Sequence, residues 1–321
     1  MLATAAARPL GIALGVAVDL VVGDPRRFHP VAAFGQAAAW LERRWYADDV
    51  RSGARYTIAA VGVPVALGCL VERATAGRPV LRAVATAVGT WAVLGGTSLA
   101  REGVAMAGLL EGDDLPAARD RLSHLCARDP SGMSGDDLAR ATVESLAENS
   151  SDAVVAPLFW GAVAGLPGLL GYRAVNTLDA MVGYTSPRYR NFGRVAARTD
   201  DVVNLVPARV TAALVVASAP VAGGSPTTAW RVLRRDGGAH PSPNAGHPEA
   251  AIAGALGVRL GGENVYGGTA ERRPELGDGR SPQVADVRRA VRLVRVVTGA
   301  ASVVSVLAAI TVTRARRRLT Q

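Results

Sequence analysis

Several features that would point to a familiar class of soluble protein are missing from this sequence. Lysine is absent, aromatic residues make up 5%, and there are two cysteines, Cys69 and Cys126. Because these cysteines lie far apart and outside any C-x-x-C spacing, they indicate neither a disulfide framework nor a thiolate metal site. The sequence also has no H-E-x-x-H motif, no nucleophile elbow, no Walker A loop and no G-x-G-x-x-G, so any nucleotide is not held by a standard phosphate loop.

The composition that is present favours a membrane protein. Apolar residues make up 49% of 321 and the mean hydropathy is +0.20. Most of them are Ala, Val and Leu, and there are 36 Gly besides. Small residues of this kind let transmembrane helices pack closely. A net charge of +9 suits anionic lipid headgroups or an acidic substrate. Nucleic acid is not favoured as a partner, since no basic segment is interleaved with stacking aromatics. The exclusive use of Arg favours bidentate contacts to carboxylate and phosphate, although a genomic codon bias would give the same result.

Apolar runs predict an all-α integral membrane protein, a polytopic helical bundle with re-entrant or broken helices. We expect one polytopic domain over residues 1–321, with the polar catalytic region inside 101–294. A Gly/Pro-rich polar loop region follows residue 222, and residues 270–283 are expected to form a surface loop. Pro157 and Pro167 favour a re-entrant or kinked segment as much as a straight span. The candidate membrane segments are 9–22, 57–72, 80–100, 153–171, 202–222 and 295–313.

The orientation follows from where the polar motifs must lie. The tail RARRRLTQ argues for a cytoplasmic C-terminus. If all six segments crossed the bilayer, the acidic and basic motifs would lie on opposite sides and one active site would be divided. We therefore expect four or five true spans in a multi-pass protein of the cell (inner or plasma) membrane, with the active site facing the cytoplasm.

The stretch from Ser134 to Asn204 carries most of the polar chemistry. Ser134 and Asp137 fit a helix N-cap, after which Arg140, Glu144, Glu148 and Asp152 follow at intervals of four on one face. Like charges at this spacing destabilise a helix, so positive partners are expected. Three arginines spaced by four are the candidates in the same stretch: Arg190, Arg194 and Arg198.

Oxygen-bearing side chains in this stretch predict a magnesium site. Mg²⁺ prefers a few carboxylates plus substrate phosphates to a full protein cage. The alternative is a set of buried helix–helix hydrogen bonds and caps. Arginines nearby would bind phosphate or carboxylate, or else extend to lipid headgroups. The predicted metal ligands are Glu148, Asp152, Asn176, Asp179, Asp200 and Asp201, and the predicted phosphate-binding arginines are Arg173, Arg190, Arg194 and Arg198.

Six long motifs run through the chain in order. They are GDPRRFHPV, SLAENSSDAVVAPLFW, YRAVNTLDAMVGY, the R-Y-x-x-F-G-x-x-A-A-R-x-D-D-V-x-N-x-x-P-A-R run at 188–209, HPSPNAGHPEAAIAGALGVRLGG and the later Y-G-G. They closely resemble the adenosylcobinamide-phosphate synthase family, the membrane proteins of cobalamin biosynthesis that attach the aminopropanol arm. The resemblance covers nearly the whole chain in the same order. One departure is His247, where the family pattern leads us to expect an aromatic residue.

This resemblance implies an ATP- and Mg²⁺-dependent ligase that forms an amide bond. Its substrates would be the corrinoid adenosylcobyric acid and (R)-1-amino-2-propanol or its O-phosphate, with ATP as co-substrate. The carboxylate would be activated most simply as an acyl phosphate, which requires Mg²⁺ and cationic groups. The implied catalytic residues are Glu148, Asp152, His240 and Glu249, and Asn244 and Asn264 join the substrate-binding set.

Two other functions are weighed against this one. A non-catalytic membrane sensor of the same family should lack the acid and arginine residues that this chain retains. A membrane transferase acting on a prenyl diphosphate would use Asp-rich motifs on two similar helical halves, and the sequence shows no such repeat.

Overall fold

The computed structural model describes residues 2–24, 29–266 and 269–319, with side chains except at 2–5, 264–266, 269–271, 317 and 319. Over these residues the chain is mainly helical, as predicted. A π-helical turn covers Ser151–Val155, and a 3-10 turn covers Ala219–Ala222. The α-helices are α1 Leu2–Val22, α2 Pro30–Trp45, α3 Val50–Ala74, α4 Pro79–Val93, α5 Gly96–Glu111, α6 Leu115–Leu122, α7 Gly135–Ser150, α8 Ala156–Ala164, α9 Leu166–Val182, α10 Arg194–Ser218, α11 Pro226–Asp236, α12 Gly246–Leu256 and α13 Val284–Leu319, and the strands are β1 Leu260–Tyr266 and β2 Thr269–Leu276.

Four helical stretches of the described chain are long and apolar enough to cross a membrane. They overlap the predicted segments 57–72, 80–100, 202–222 and 295–313. Of the other two predicted segments, 9–22 lies within α1, and 153–171 is divided among the π-helical turn, α8 and α9. The fold is that of an all-α membrane protein. The four stretches are Val50–Ala74, Pro79–Glu111, Arg194–Ala222 and Val284–Arg316.

The chain divides into two compact units. The first comprises Met1–Gly95, Ala156–Asn204 and Ser302–Gln321. The second comprises Gly96–Val155 and Leu205–Ala301. Two helices, α10 and α13, each contribute to both units.

In the first unit, α1 and α4 pack in parallel because glycines remove side chains from their interface. A Cβ atom on Gly11 would lie 2.5 Å from Thr86 Cβ, and one on Gly15 would lie 2.5 Å from Thr90 Cβ. Glycines spaced by four allow this approach between membrane helices. At the end of the pair, Trp91 Nε1 donates a hydrogen bond to the Gly23 carbonyl oxygen over 3.0 Å.

The apolar segment 153–171 is a broken helix, one of the two forms predicted for it. The chain reverses at Gly165, whose φ of 71° and ψ of −149° belong to a region that is essentially restricted to glycine. α8 and α9 then run antiparallel, with Gly161 against Leu169 and Gly168 against the Trp160 carbonyl. α8 and α9 thus form a helical hairpin within the first unit.

Charged side chains complete the hydrogen bonds that the break leaves open. The Leu166 N–H, at the start of α9, donates to Glu72 Oε1 over 3.1 Å. Arg8 and Arg316 donate to the carbonyl oxygens of Ala162 and Val163, over 3.5 Å and 3.2 Å. Helix ends within an apolar region need such partners, because water cannot supply them.

The second unit is built around α7, whose residues from Leu138 to Ala147 are nearly all buried. Gly103 of α5 lets Leu146 and Val291 approach closely. The antiparallel pair β1–β2 carries a bulge between Leu260 and Gly262. The Gly/Pro-rich region is more regular than predicted: it contains α11, α12 and this pair, and β2 replaces the expected surface loop at 270–283 as far as Leu276. Pairing with β1 gives this segment a regular strand conformation, which its composition did not indicate.

Candidate functional site

The predicted N-cap of α7 is confirmed, and it sets the register of the acidic stripe. The Asp137 N–H donates to Ser134 Oγ over 3.2 Å, and the Ser134 N–H donates to Asp137 Oδ2 over 3.1 Å. This reciprocal capping box fixes the helix start. Arg140, Glu144 and Glu148 therefore follow on one face of α7.

Glu144 is a structural residue that ties β1 to α7. Its side chain is 2% exposed, and it forms an ion pair with Arg128. Its Oε1 accepts a hydrogen bond of 2.6 Å from the Gly261 N–H. Arg140 donates to the carbonyl oxygens of Gly261 and Glu263, the second over 3.0 Å. Both ends of the β-bulge are thus held by charged groups of α7.

Glu148, one turn further along α7, has a different environment. Its side chain keeps accessible surface, although protein surrounds it closely. This desolvation raises the carboxyl pKa, Glu144 raises it further, and Arg273 and Arg128 oppose the rise. An accessible carboxylate among fixed charges is suited to meeting a substrate.

His240 and Glu249 form the buried side of the same group. His240 Nε2 lies 4.0 Å from Glu249 Oε1, and both side chains are at most 5% exposed. The Ser242 N–H donates to His240 Nδ1 over 3.0 Å. Burial and the charge of Arg273 lower the His240 pKa to about 4, so the imidazole is neutral and carries its proton on Nε2.

Burial makes the charged form of Glu249 unfavourable. It raises the Glu249 pKa well above the ordinary value, and Glu144 and Glu148 add to the rise, while Arg128 and Arg273 oppose it. Glu148 and Glu249 are thus two carboxyl groups in different settings, the first accessible and the second buried. We call Arg128, Glu148, His240, Glu249 and Arg273 the acid–arginine centre.

Sequence reasoning missed the two arginines of this centre. Arg128 is buried in the segment before α7, and Arg273 Nη1 lies 3.2 Å from His240 Nε2. Neither arginine shares a helical spacing with the acids, and Arg273 lies in the segment that was predicted to be a loop. The cations beside the acidic stripe are therefore Arg128, Arg140 and Arg273, all in the second unit.

Asp152 lies in the π-helical turn Ser151–Val155. The wider turn precedes Pro157, which has no N–H for the Ala153 carbonyl and whose ring would crowd that carbonyl in a regular α-helix. The regular spacing of four predicted through Asp152 therefore ends at Ser150. π-helical turns of this kind are frequent at functional sites.

A second polar group lies between α9 and α10 in the first unit. The Tyr172 hydroxyl donates to Asn204 Oδ1 over 2.9 Å, and Asn204 Nδ2 donates to Asp200 Oδ2 over 2.9 Å. Asn176, Asp179 and Asp201 also act on the Asp200 carboxylate. We call this group the α9–α10 carboxylate centre.

The oxygen donors of the α9–α10 carboxylate centre fit Mg²⁺. Asp200 Oδ1 is buried with no hydrogen-bond partner in the described part of the chain. Carboxylate and amide oxygens are the hard donors that Mg²⁺ accepts. Within the described residues, no three His, Cys, Asp or Glu side chains group as a complete metal site. The predicted ligands divide between the units, with Glu148 and Asp152 in the second and Asn176, Asp179, Asp200 and Asp201 in the first.

The predicted phosphate-binding arginines have different settings. Arg173 is half-buried, and its Nη1 lies 3.5 Å from Asn176 Oδ1. Arg194 and Arg198 are exposed on α10, and Arg198 lies 3.7 Å from Asp201. Arg190 lies in the turn before α10, so the three predicted arginines do not form one helical face. That turn is closed by the Gly193 N–H, which donates to the Tyr189 carbonyl over 2.7 Å.

The remaining predicted residues lie in the second unit. Asn244 is buried in the turn before α12. Asn264 lies in β1, with its side chain outside the described part of the structure. Residues 25–28 of the GDPRRFHPV motif and residues 267–268 of the Y-G-G motif also lie outside it.

Comparison with known proteins gives consistent matches over most of the chain. The CobD/CbiB protein family model matches residues 12–294. A relative named cobalamin biosynthesis protein CobD from Mycobacterium tuberculosis is 55% identical over 302 residues, which is 94% of this chain and 95% of the relative. Proteins with the same name from Geobacter metallireducens and Clostridium perfringens are 44% and 34% identical, covering 93% and 92% of this chain and 95% and 96% of their own lengths. No solved structure matches.

Proposed function

This chain belongs to the CobD/CbiB protein family of cobalamin biosynthesis, and from that membership we propose that it is an adenosylcobinamide-phosphate synthase. The reaction joins the propionate carboxylate of adenosylcobyric acid to the amine of (R)-1-amino-2-propanol or its O-phosphate, with hydrolysis of ATP. The observation that carries the proposal is the acid–arginine centre, because amide synthesis requires both a proton acceptor and cations that stabilise oxyanions.

The proposed reaction has two steps. A carboxylate oxygen of the corrinoid attacks the γ-phosphorus of ATP, which releases ADP and forms an acyl phosphate. The amine nitrogen then attacks the acyl carbon, the C–O bond to phosphate breaks, and inorganic phosphate leaves. The nitrogen loses one proton as the amide forms.

Residues of the acid–arginine centre have distinct roles in this scheme. The accessible Glu148 carboxylate takes the amine proton, and its raised pKa brings it closer to the pH at which it works. Arg273 and the Nε2–H of His240 lie 3.2 Å apart and donate to the same developing oxyanion or phosphate oxygen. Glu249, buried beside His240, would orient the substrate through a hydrogen bond, and its raised pKa favours the form that can donate one.

The α9–α10 carboxylate centre is the proposed Mg²⁺ site. Asp200, Asp179, Asp201 and Asn176, all of the first unit, would hold the ion. Glu148 and Asp152, which belong to the second unit, stay metal ligands predicted from the sequence only. Mg²⁺ there would neutralise charge on the transferring phosphoryl group. Tyr172 and Asn204 orient the Asp200 carboxylate through hydrogen bonds of 2.9 Å each.

We propose that both centres face the cytoplasm, where ATP is available. The α8–α9 hairpin supports this orientation, because an apolar segment that reverses at Gly165 does not carry the chain across the bilayer. The Arg-rich C-terminal tail favours the same side.

The test is synthesis by purified full-length protein in detergent, supplied with adenosylcobyric acid, aminopropanol phosphate and Mg-ATP. The mass of the corrinoid product should increase by the added amine. Glu148→Gln, Asp152→Ala and Asp201→Ala should each lose at least about 100-fold in turnover, as expected for removal of an acid–base or ion-binding group. Glu263→Gln, an exposed acid of β1, is the matched control and should stay near wild type. No amide product from wild type, or full activity in the three variants, would contradict the proposal.

A further inference from the structure

The starts of α3 and α10 form a continuous surface in the first unit. One groove is lined by Trp45, Arg55 and Ile58, with a volume of about 530 Å³. A second groove, lined by Arg194, Arg198 and Val202, has a volume of about 390 Å³. Val50 lines this second groove and also borders a third, which contains Arg51 and Arg55. The three grooves are thus neighbours that share lining residues near the start of α3, and we call them together the α3–α10 groove.

The α3–α10 groove carries net positive charge. Arg51 and Arg55 on α3 are four residues apart, as are Arg194 and Arg198 on α10, and all four are exposed. The side chain of Arg198 is 76% exposed and so is available to a ligand.

Carboxylates lie close to these four arginines. The Asp49 carboxylate caps α3 and accepts hydrogen bonds from Ser52 N–H and Oγ over 2.9 Å and 2.8 Å. Asp201 lies 3.7 Å from Arg198, and Asp48 accepts a hydrogen bond from Asn191 over 3.0 Å. Of these acids Asp49 lines the grooves, together with the four arginines, so the lining favours an anion.

Exposed aliphatic side chains continue from the arginines along the same two helices. On α3, Ile58 is 71% and Val63 70% exposed; on α10, Val202 is 65% exposed. Both helices are candidate membrane spans. The four arginines lie in the first turns of these spans, where membrane helices meet lipid headgroups, and Trp45 is a residue type enriched at that level.

We propose that the α3–α10 groove binds an anionic phospholipid, with the headgroup phosphate between the two arginine pairs and the acyl chains against Ile58 and Val202. The aliphatic floor favours a lipid over a soluble phosphate compound, since ATP or aminopropanol phosphate offers little apolar surface to such a floor. Arg194 and Arg198, which the sequence predicted to bind substrate phosphate, would then bind lipid phosphate. The lipid site does not depend on the reaction proposed above.

The test is lipid retention by the purified full-length protein, measured by native mass spectrometry with phosphatidylglycerol or phosphatidylcholine added. Wild type should retain phosphatidylglycerol in preference to phosphatidylcholine. Arg194→Gln/Arg198→Gln and Arg51→Gln/Arg55→Gln should each weaken that retention about 30-fold, from about fivefold per arginine near a membrane surface. Arg194→Lys/Arg198→Lys keeps the positive charge and should retain phosphatidylglycerol nearly as well as wild type.

Two controls separate the alternatives. Arg73→Gln/Arg78→Gln removes the same charge from exposed positions outside the groove and should leave phosphatidylglycerol retention unchanged. An equal loss of retention in this variant would mean a general attraction between protein and lipid and would refute the proposed lipid site. Millimolar inorganic phosphate or ATP should not displace phosphatidylglycerol. If either competes through Arg194 and Arg198, the groove is a soluble-phosphate site and the lipid assignment is wrong.

Discussion

Replacing Glu249 with glutamine should stabilise the folded protein at neutral pH and at the same time abolish activity. Glu249 is 3% exposed in the first turn of α12. Its pKa is raised above the ordinary 4.5, first by burial and then by Glu144 and Glu148. Glutamine has nearly the shape of the protonated acid and carries no charge, so it should fit the same space without the cost of ionisation.

The sign of the pH dependence follows from proton binding. Between 4.5 and the raised pKa of the folded state, the folded protein binds more protons at Glu249 than the unfolded chain does. The free energy of unfolding therefore falls as pH rises through that window, and the full cost persists above it. The cost is about 1.4 kcal/mol for each pH unit that separates the two pKa values. Each kcal/mol corresponds to about 2 °C in Tm for a chain of this size.

The measurement is thermal unfolding of detergent-solubilised protein, followed by tryptophan fluorescence from pH 4.5 to 8. The Tm of Glu249→Gln should rise relative to wild type as pH increases, whereas Glu263→Gln should follow wild type throughout. Parallel curves for wild type and Glu249→Gln, or a Glu249→Gln variant less stable than wild type at pH 7, would refute the reasoning. Turnover of Glu249→Gln should be lost at every pH tested.

Three further substitutions test the architecture. Glu144→Gln removes the carboxylate that forms the buried ion pair with Arg128 and should cost about 3–5 kcal/mol in the free energy of unfolding. A Tm close to that of wild type would contradict the structural role of Glu144. Gly165→Ala places a Cβ 2.2 Å from Glu72 Oε1 at a φ of 71° and should lower the free energy of unfolding by at least about 1–3 kcal/mol. Gly62→Ala is the control, because nothing lies within 4 Å of the added atom, and it should leave the Tm unchanged or higher. Tyr172→Phe removes the hydrogen bond of 2.9 Å to Asn204 and should lower the free energy of unfolding by about 1 kcal/mol. It should also raise the Mg²⁺ concentration needed for half-maximal turnover, an effect that a purely structural hydroxyl would not produce.

Local features of the sequence were sufficient for several predictions. The Ser134–Asp137 cap, the broken segment with Pro157 and Pro167, and the helical membrane character depend on neighbouring residues in the chain, and each is confirmed. The family, predicted from long motifs, is confirmed by matches over most of the chain. The catalytic and metal-binding roles stay predictions, because they depend on ligands.

Long-range contacts account for what the sequence did not reveal. Arg273 lies in β2, which pairs with β1 and belongs to a segment whose Gly, Pro and Arg content resembled a loop. Arg128 lies before α7, and both arginines act on Glu148 and Glu249 across long stretches of the sequence. Glu144 has the same helical spacing as Glu148, yet one is a buried anchor for Gly261 and the other reaches solvent. Spacing along a helix gives the face on which a side chain lies but not its distant partner.

The sequence by itself determined the class of this protein, because hydropathy, caps and helix breakers act over a few residues and need no knowledge of distant neighbours. It also determined which polar residues could carry chemistry, since carboxylates and arginines are few within long apolar runs. Only the tertiary structure decided which of them are anchors, which are buried acids and which are exposed. Those differences arise from burial and from the charges brought alongside, and both are set by the packing of segments more than 100 residues apart, such as Glu144 and Gly261.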